Sequence, residues 1–521
     1  MARHRVYAMS GEGLARSCLR ALLVASVLTS AGVARAQAND RSSALGGRSA
    51  LMGNTGVALA RDGAAPFLNP ATVVGIDDRK LAFSVNFLSL QVNQFNDWHQ
   101  PGGVDPRFGS VALRQRAISS ARLTGVPSTI CLFLSLSSLV TGKETPKDDP
   151  TPWQGGHQKF AVCLATLEAE DLAVPALSVH AATGAGATAQ DVSLARKWNR
   201  AQVGPSYSAQ VNDKLALGAS LQGAYTTLSF IQDSTSITSA TDGSTVQSSL
   251  GAAGNGFSLD LTAILGATYV LGGVTFGASV QVPSLHVLGS YSATLHQTLA
   301  TTTDSEATLA RGTGSFRAKP PVRIAAGAGK MFDRFTLEAD ASFDFGYAHG
   351  LSTSLQVTNT TSAAGVLADS AYKATYSTRT VPVFNAAVGG EYFMSRRLSV
   401  LGGAWTNLSD FPSLKAEPAP SLGNLVQASA HRVGISLGLG SYGEAGELLF
   451  GTQLGYGWGQ AIVANPYAAP NDWSIVGSNN FSALFVLAGS TSLRSIKGAI
   501  EGVEKAITPG PEAPETPTES K

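Results

Sequence analysis

From Thr336 to Tyr347 the chain alternates apolar and polar residues without a break. Leu337, Ala339, Ala341, Phe343, Phe345 and Tyr347 fall on one face of a strand; Thr336, Glu338, Asp340, Ser342 and Asp344 fall on the other. The same dyad recurs at Leu215 to Tyr225, at Val274 to Val282 and at Leu448 to Gly459. The pattern predicts strands near 80–93, 158–168, 172–182, 202–211, 214–230, 257–270, 273–296, 313–329, 335–348, 376–392, 397–408, 429–440, 447–462 and 479–493, which is fourteen. Dyad segments of about ten residues, an even number of them, are what a transmembrane antiparallel β-barrel needs, because lipid demands an apolar exterior and a hydrogen-bond ladder with no open edge. Short turns are expected at 168–171, Asn212-Asp213-Lys214, Gly272-Gly273, Phe332-Asp333-Arg334 and Ser395-Arg396-Arg397, and long loops at 231–256, 297–312 and 349–375.

Residues 94–157 fit the pattern least. Ile130 to Val140 reads as a strand or as a helix packed over a barrel mouth, and the expectation is a long extracellular loop from 94 to 157 within a barrel spanning 79–493. Before it, Gln37 to Asp78 is rich in Gly and Ala and lacks the dyad, which marks a separate module. Arg3, Arg5, Arg16 and Arg20 precede the apolar stretch Ala21 to Val33, and Ala34-Arg35-Ala36 supplies a small-x-small site, so residues 1–36 read as a signal peptide. Beyond 494, Ile496, Ala499, Ile500, Val503 and Ile507 form a helical stripe followed by a disordered Pro/Glu/Thr tail, both placed in the periplasm.

Composition sharpens this picture. Charged residues are 14% of the chain, well below the roughly 25% of soluble proteins. The 56 glycines, scattered through the strand-like segments, fit clearance inside a lumen. A net charge of +1 gives no reason to expect nucleic acid. Export would leave Cys131 and Cys163, which pair or stay free; sequence alone does not fix their geometry.

The module carries Gly47-Arg48, Gly56-Val57-Ala58-Leu59-Ala60, Asp62-Gly63-Ala64-Ala65 and Asn69-Pro70-Ala71. The barrel carries strand–turn–strand units such as VNDKLALGASLQGAY and GGEYFMSRRLSVLGGAWTNLSDFP. In these marks the chain resembles the FadL family of outer-membrane transporters for long-chain fatty acids and other hydrophobic compounds. The resemblance implies residence in the outer membrane of a Gram-negative bacterium, and an N-terminal plug at 37–78 filling the lumen of a fourteen-stranded barrel. It further implies a plug or gate role for Gly47, Arg48, Gly56, Asp62, Asn69, Pro70 and Ala71, and a kinked third strand opening a lateral gap, with Pro175 the candidate. The implied partners are a hydrophobic small molecule, outer-membrane lipids and the barrel assembly machinery, for a chain acting as a monomer. The tail after the last strand and the long first loop depart from the family's layout.

Chemical motifs weigh little beside this. Gly434-Ile435-Ser436-Leu437-Gly438 spells a nucleophile elbow, but Ser436 sits inside an alternating strand and reads as a lumen serine. His286 and His296 share a face with Ser290, Ser292 and Thr294, yet the spacing places no acid partner. No enzyme, catalytic residue, metal site or cofactor is expected. Arg323 opposes the wall of Glu338, Asp340 and Asp344 and reads as a lumen charge network that holds the plug rather than one that binds substrate. The expected activity is passive, plug-gated transport of hydrophobic small molecules; the alternative is a plugged diffusion porin or structural barrel.

Overall fold

The computed structural model describes residues 43–77, 80–96, 118–135, 158–183, 186–302, 304–363, 366–411, 429–443, 446–464 and 473–493. The signal-peptide reading of 1–36 and the helix and tail beyond 494 lie outside them. Three short helical turns come first: α1 (Arg48–Leu51), α2 (Ala65–Leu68) and the 3₁₀ turn η1 (Pro70–Gly75).

Among the described residues, eighteen strand segments then form one antiparallel sheet. The first six are β1 (Lys80–Phe95), β2 (Ile118–Ser135), β3 (Gln158–Thr183), β4 (Gly186–Gln210), β5 (Leu215–Ala240) and β6 (Thr245–Leu271). The next eight are β7 (Val274–Gln281), β8 (Leu285–Thr301), β9 (Ser305–Ala318), β10 (Val322–Met331), β11 (Phe335–Phe345), β12 (Leu351–Ala363), β13 (Val366–Thr378) and β14 (Val383–Phe393). The last four are β15 (Leu398–Asn407), β16 (Ser429–Tyr442), β17 (Gly446–Ala464) and β18 (Trp473–Ser492).

Four pairs of these segments are halves of single staves. One end of β6 pairs with β7 and the rest with β8, so β7 and β8 are one strand interrupted at Val282-Pro283-Ser284. The β9/β10, β11/β12 and β13/β14 pairs are interrupted in the same way. Prolines 283, 320, 321 and 382 stand in three of the four interruptions and Gly346 and Gly350 in the fourth, because proline cannot donate to a ladder and glycine weakens it. Eighteen segments less four interruptions gives fourteen staves, and β1 pairs with β18 from Lys80–Ser492 to Phe95–Ser478, which closes the barrel.

Two sequence expectations offset each other in that count. Residues 168–171 are not a turn: β3 runs unbroken from Gln158 to Thr183, so the predicted strands 158–168 and 172–182 are one. Conversely, 94–157 is not all loop, since 118–135 is β2, paired with β1 and β3. Its alternation is spoiled by Pro127 and by register shifts opposite Ser84 and Asn86, which is why it escaped the dyad test. Nor are 231–256, 297–312 and 349–375 irregular loops; the strands run through them as long hairpins. The turns at 212–214, 272–273, 332–334 and 395–397 stand as expected, with Gly272 and Gly273 at φ +59° and +76°.

The exterior is an apolar belt. Leu217, Leu221 and Tyr225 on β5, Phe276 and Val280 on β7, and Leu337, Phe343 and Phe345 on β11 all face outward and are exposed. Tyr456 stacks on Trp458 at 6.2 Å, and Tyr225 packs on Phe257 at 6.0 Å. No helix among the described residues is long and apolar enough to cross a membrane; strands do the crossing.

Candidate transport site

The lumen is occupied by residues 43–77, nearly all of them buried. This segment touches the wall on many sides. Gly53 N–H donates to Ser436 Oγ on β16 at 2.9 Å, and Ser436 Oγ donates to Leu51 O at 2.8 Å. Gln453 Nε2 on β17 donates to Ala50 O at 2.6 Å. On the opposite wall Ser279 Oγ of β7 donates to Leu68 O at 2.7 Å, and Ser220 Oγ of β5 to Pro66 O at 2.8 Å. Ser436 is therefore a strut for the segment and no nucleophile.

Charged side chains grip it most firmly. Glu338 Oε1 accepts the N–H groups of Ala58 and Leu59 at 2.7 and 2.8 Å, while Asp340 Oδ2 accepts those of Gly56 and Val57 at 2.7 and 3.0 Å. Two carboxylates thus satisfy four consecutive N–H groups that the segment's irregular backbone leaves without a ladder. Arg48 on α1 pairs with Glu391 on β14 at 2.7 Å, and Ser399 and Tyr442 donate to the other oxygen of Glu391. Burial lowers the pKa of Arg48, but Glu391 more than compensates, so the guanidinium stays charged. Arg323 and Asp344 form a separate bidentate pair between β10 and β11 at 2.5 and 2.8 Å.

Inside the segment, Asp62 accepts from Ser49 N–H at 2.8 Å and from Ala64 N–H at 3.0 Å. Burial pushes its carboxyl upward against the pull of these donors. Asn69 is the central staple: Nδ2 donates to Val57 O at 2.6 Å and to Ala267 O of β6 at 3.0 Å, and Oδ1 accepts Ala71 N–H at 3.1 Å. Pro70 occupies the first position of η1, where its missing N–H costs nothing.

Close approach to the wall depends on lumen glycines. A Cβ on Gly277 would stand 2.0 Å from Val57 O, one on Gly389 1.9 Å from Met52 O, and one on Gly266 2.0 Å from Asn69 Oδ1. Gly47 works from the segment's side, where a Cβ would meet Ala488 at 2.2 Å, and Gly56 sits at φ +151° against Leu68.

Between segment and wall lies a cavity of about 80 Å³ lined by Asn54, Val57, Arg323, Asp340, Asn385 and Trp405, among others. A dry cavity able to take one benzene is roughly twice that volume. This cavity therefore has no room for a single-ring hydrocarbon.

Between β2 and β3 the ladder of the wall is cut short. β2 and β3 pair only from Ser135–Lys159 to Thr129–Ala165, and among the described residues their continuations, 118–128 and 166–183, do not pair with each other. β3 bulges here at Leu167. The beginning of the segment fills the mouth of this seam: Ser43 N–H donates to Leu167 O at 3.0 Å, Asn86 Nδ2 to Ser43 Oγ at 2.9 Å, and Ser128 Oγ to Ala44 O. Glu168, the next residue of β3, is turned to Arg200 and Trp198 of β4. Just below the mouth, Cys131 and Cys163 are directly opposed and disulfide-bonded, facing the lumen under Gly63.

Pro175 stands at a second β3 bulge, between Val174 and Leu177. That bulge lies ten residues beyond Ala165, roughly 33 Å along the strand at 3.3 Å per residue, beside the exposed Asp191 and Asp233 and so past the apolar belt. A bulge at Val287 turns His286 to the lumen, away from the face of Ser290, Ser292 and Thr294. There it does find an acid: its Nδ1 is 3.2 Å from Asp260 and 3.4 Å from Ser258 Oγ. Both contacts fall on the same nitrogen, and Ser258 donates to Asp260, so no proton relay to the serine exists. No cluster of metal-ligand type occurs among the described residues.

Strand parity puts Glu338, Asp340, Ser436, Ser220, Ser279 and Gln453 on the lumen face; Glu391 is the residue the sequence did not single out, and none of their contacts with the segment was readable. Each is a polar residue at a lumen-parity position, which was the available signal; apart from Glu391, which meets Arg48, each has a backbone group of the segment as its partner, which sequence does not reveal.

No protein-family model and no curated protein sequence matches the chain. Solved structures do. A deltaS2 mutant of the TodX monoaromatic hydrocarbon channel superposes with a TM-score of 0.50 at 12% identity, covering 86% of this chain and 99% of that one. The toluene transporter TodX of Pseudomonas putida gives 0.48 at 14%, covering 87% and 99%, and a FadL homologue of Pseudomonas aeruginosa 0.46 at 14%, covering 87% and 100%. The first two are a channel and a transporter by description. The chain has the fold of FadL-type barrels.

Proposed function

We propose that the protein carries hydrophobic small molecules, such as long-chain fatty acids or aromatic hydrocarbons, passively across the outer membrane of a Gram-negative bacterium, with residues 37–78 as the gate. The observation that carries this reading is the pairing of an occluded lumen with a wall whose β2–β3 ladder is cut short. A solute entering from the outside meets the buried segment, while beside the same segment the β2–β3 seam offers a sideways route into lipid. Hydrophobes gain from such a route because it spares them the aqueous periplasm; ions and sugars do not. The names of the similar hydrocarbon channels agree with it. The seam, rather than Pro175, is the proposed lateral exit, since it opens within the apolar belt. Each chain encloses its own lumen, so the proposed unit is a monomer, delivered by the barrel assembly machinery and held by outer-membrane lipid.

Deleting Gln37 to Asp78 tests the reading. The barrel should still fold, since its ladders close without the segment, and planar bilayers should then show a wide, non-selective conductance while hydrophobe uptake in cells changes. A wild-type protein that already conducts ions freely, with hydrophobe uptake indifferent to the deletion, establishes the porin alternative instead.

A further inference from the structure

We infer that the Cys131–Cys163 disulfide sets the lower limit of the β2–β3 opening and thereby the size of hydrophobe the protein passes. The inference rests on the proposed lateral exit, and its first readout does not depend on transport. The ladder holding β2 to β3 has seven residue pairs, and Cys131–Cys163 is the third from its open end, after Thr129–Ala165 and Ile130–Leu164. Only four pairs lie below it, ending at Ser135–Lys159.

The open end is held by the segment. Leu167 O, on the second β3 residue past the ladder, takes its hydrogen from Ser43, and Ser128, the first β2 residue past it, donates to Ala44. When the segment moves to let a solute through, both contacts are lost and the ladder can fray from the top. Each frayed pair exposes N–H and C=O groups to lipid, which opposes fraying but does not stop it at a fixed place. A covalent bond does. Two pairs can open above the disulfide; below it the strands remain tied whatever occupies the gap. The side chains of both cysteines face the lumen beneath Gly63, so the bond forms the sill over which a solute leaves without projecting into the lipid.

The test uses the full mature protein, in lipid nanodiscs for exchange and in sealed proteoliposomes for uptake, oxidised or treated with tris(2-carboxyethyl)phosphine, with reduction verified by the mass of the seam peptides. A Cys131→Ala/Cys163→Ala variant serves as a second measurement. Hydrogen exchange at the amides of 129–135 and 159–165 should quicken about tenfold or more on reduction while the β16–β17 ladder is unchanged. Uptake of a three-ring aromatic relative to toluene should rise about fivefold or more, and the double variant should match the reduced protein and ignore the reductant. Unchanged exchange after verified reduction overturns the clamp. Faster exchange with an unaltered size ratio overturns its role in selecting solutes. Faster exchange in a protein that carries neither hydrocarbon in any state upholds the clamp and overturns the transport reading on its own.

Discussion

Replacing Gly277 with alanine should open the gate without harming the barrel. The new Cβ would lie 2.0 Å from Val57 O and 2.8 Å from Ala58 Cα, both backbone atoms that cannot rotate aside. Ordinary contact begins near 3.4 Å, so the segment must retreat by about 1.4 Å at this point. Residues 56–59 are the ones whose N–H groups reach Asp340 and Glu338 at 2.7–3.0 Å, and that retreat carries the bonds out of range. Hydrogen bonds to charged groups contribute about 1.5–3 kcal/mol each, so losing two of the four costs about 3–6 kcal/mol. On a docked–undocked equilibrium that is a shift of roughly 10²- to 10⁴-fold. Gly223→Ala is the control, since its Cβ would meet only Val203 O at 3.6 Å. Single-channel recording should show frequent large openings for Gly277→Ala and wild-type behaviour for Gly223→Ala, with faster amide exchange at 56–59 only in the former. Wild-type conductance together with wild-type exchange in Gly277→Ala would refute the idea that the segment is seated by glycine clearance.

Three further outcomes follow from the same geometry. Phe343→Arg on the lipid face should cost about 2–4 kcal/mol near the midplane, whereas Ser342→Arg, at the lumen cavity, should fold normally and obstruct passage; denaturant titration in vesicles and uptake measure the two. Arg48→Ala should destabilise by about 3–5 kcal/mol because it strands the buried Glu391, and Arg48→Met with Glu391→Leu should recover much of the loss, as thermal melts of the three proteins will show. Asn69→Ala removes three hydrogen bonds that join the segment to itself and to β6, and should impair hydrophobe uptake without a wide pore in bilayer recordings.

The lipid-facing half of the fold was legible because lipid enforces a period of two. Leu337, Phe343 and Phe345 could be assigned to the exterior from alternation alone, and Glu338 and Asp344 to the lumen. β2 was not legible, since Pro127 and two register shifts break its period. The upper parts of β5, β6, β8 and β9, the whole of β12 and most of β13 look like loops in the sequence because water on their outer face removes the demand for apolar residues there. At the site, the sequence named Asn69 and Glu338 but could not pair them with Val57 and Ala58. Those bonds join a side chain to a backbone, and any residue type could have stood at the other end. The cysteine pairing was open for a related reason, because without β2 there was no register to set Cys131 against Cys163.

The line of interruptions at 282–284, 319–321, 346–350 and 379–382 divides labour between the two ends of the molecule. Below it β7, β10, β11 and β14 belong to the ring whose apolar outer face lies in lipid; above it β8, β9, β12 and β13 form a sheet that water can solvate at its edge, with β13 pairing on one side only among the described residues. Insertions, deletions and substitutions above that line leave the ring's register untouched. The rim can diversify while the half in lipid stays bound to its period.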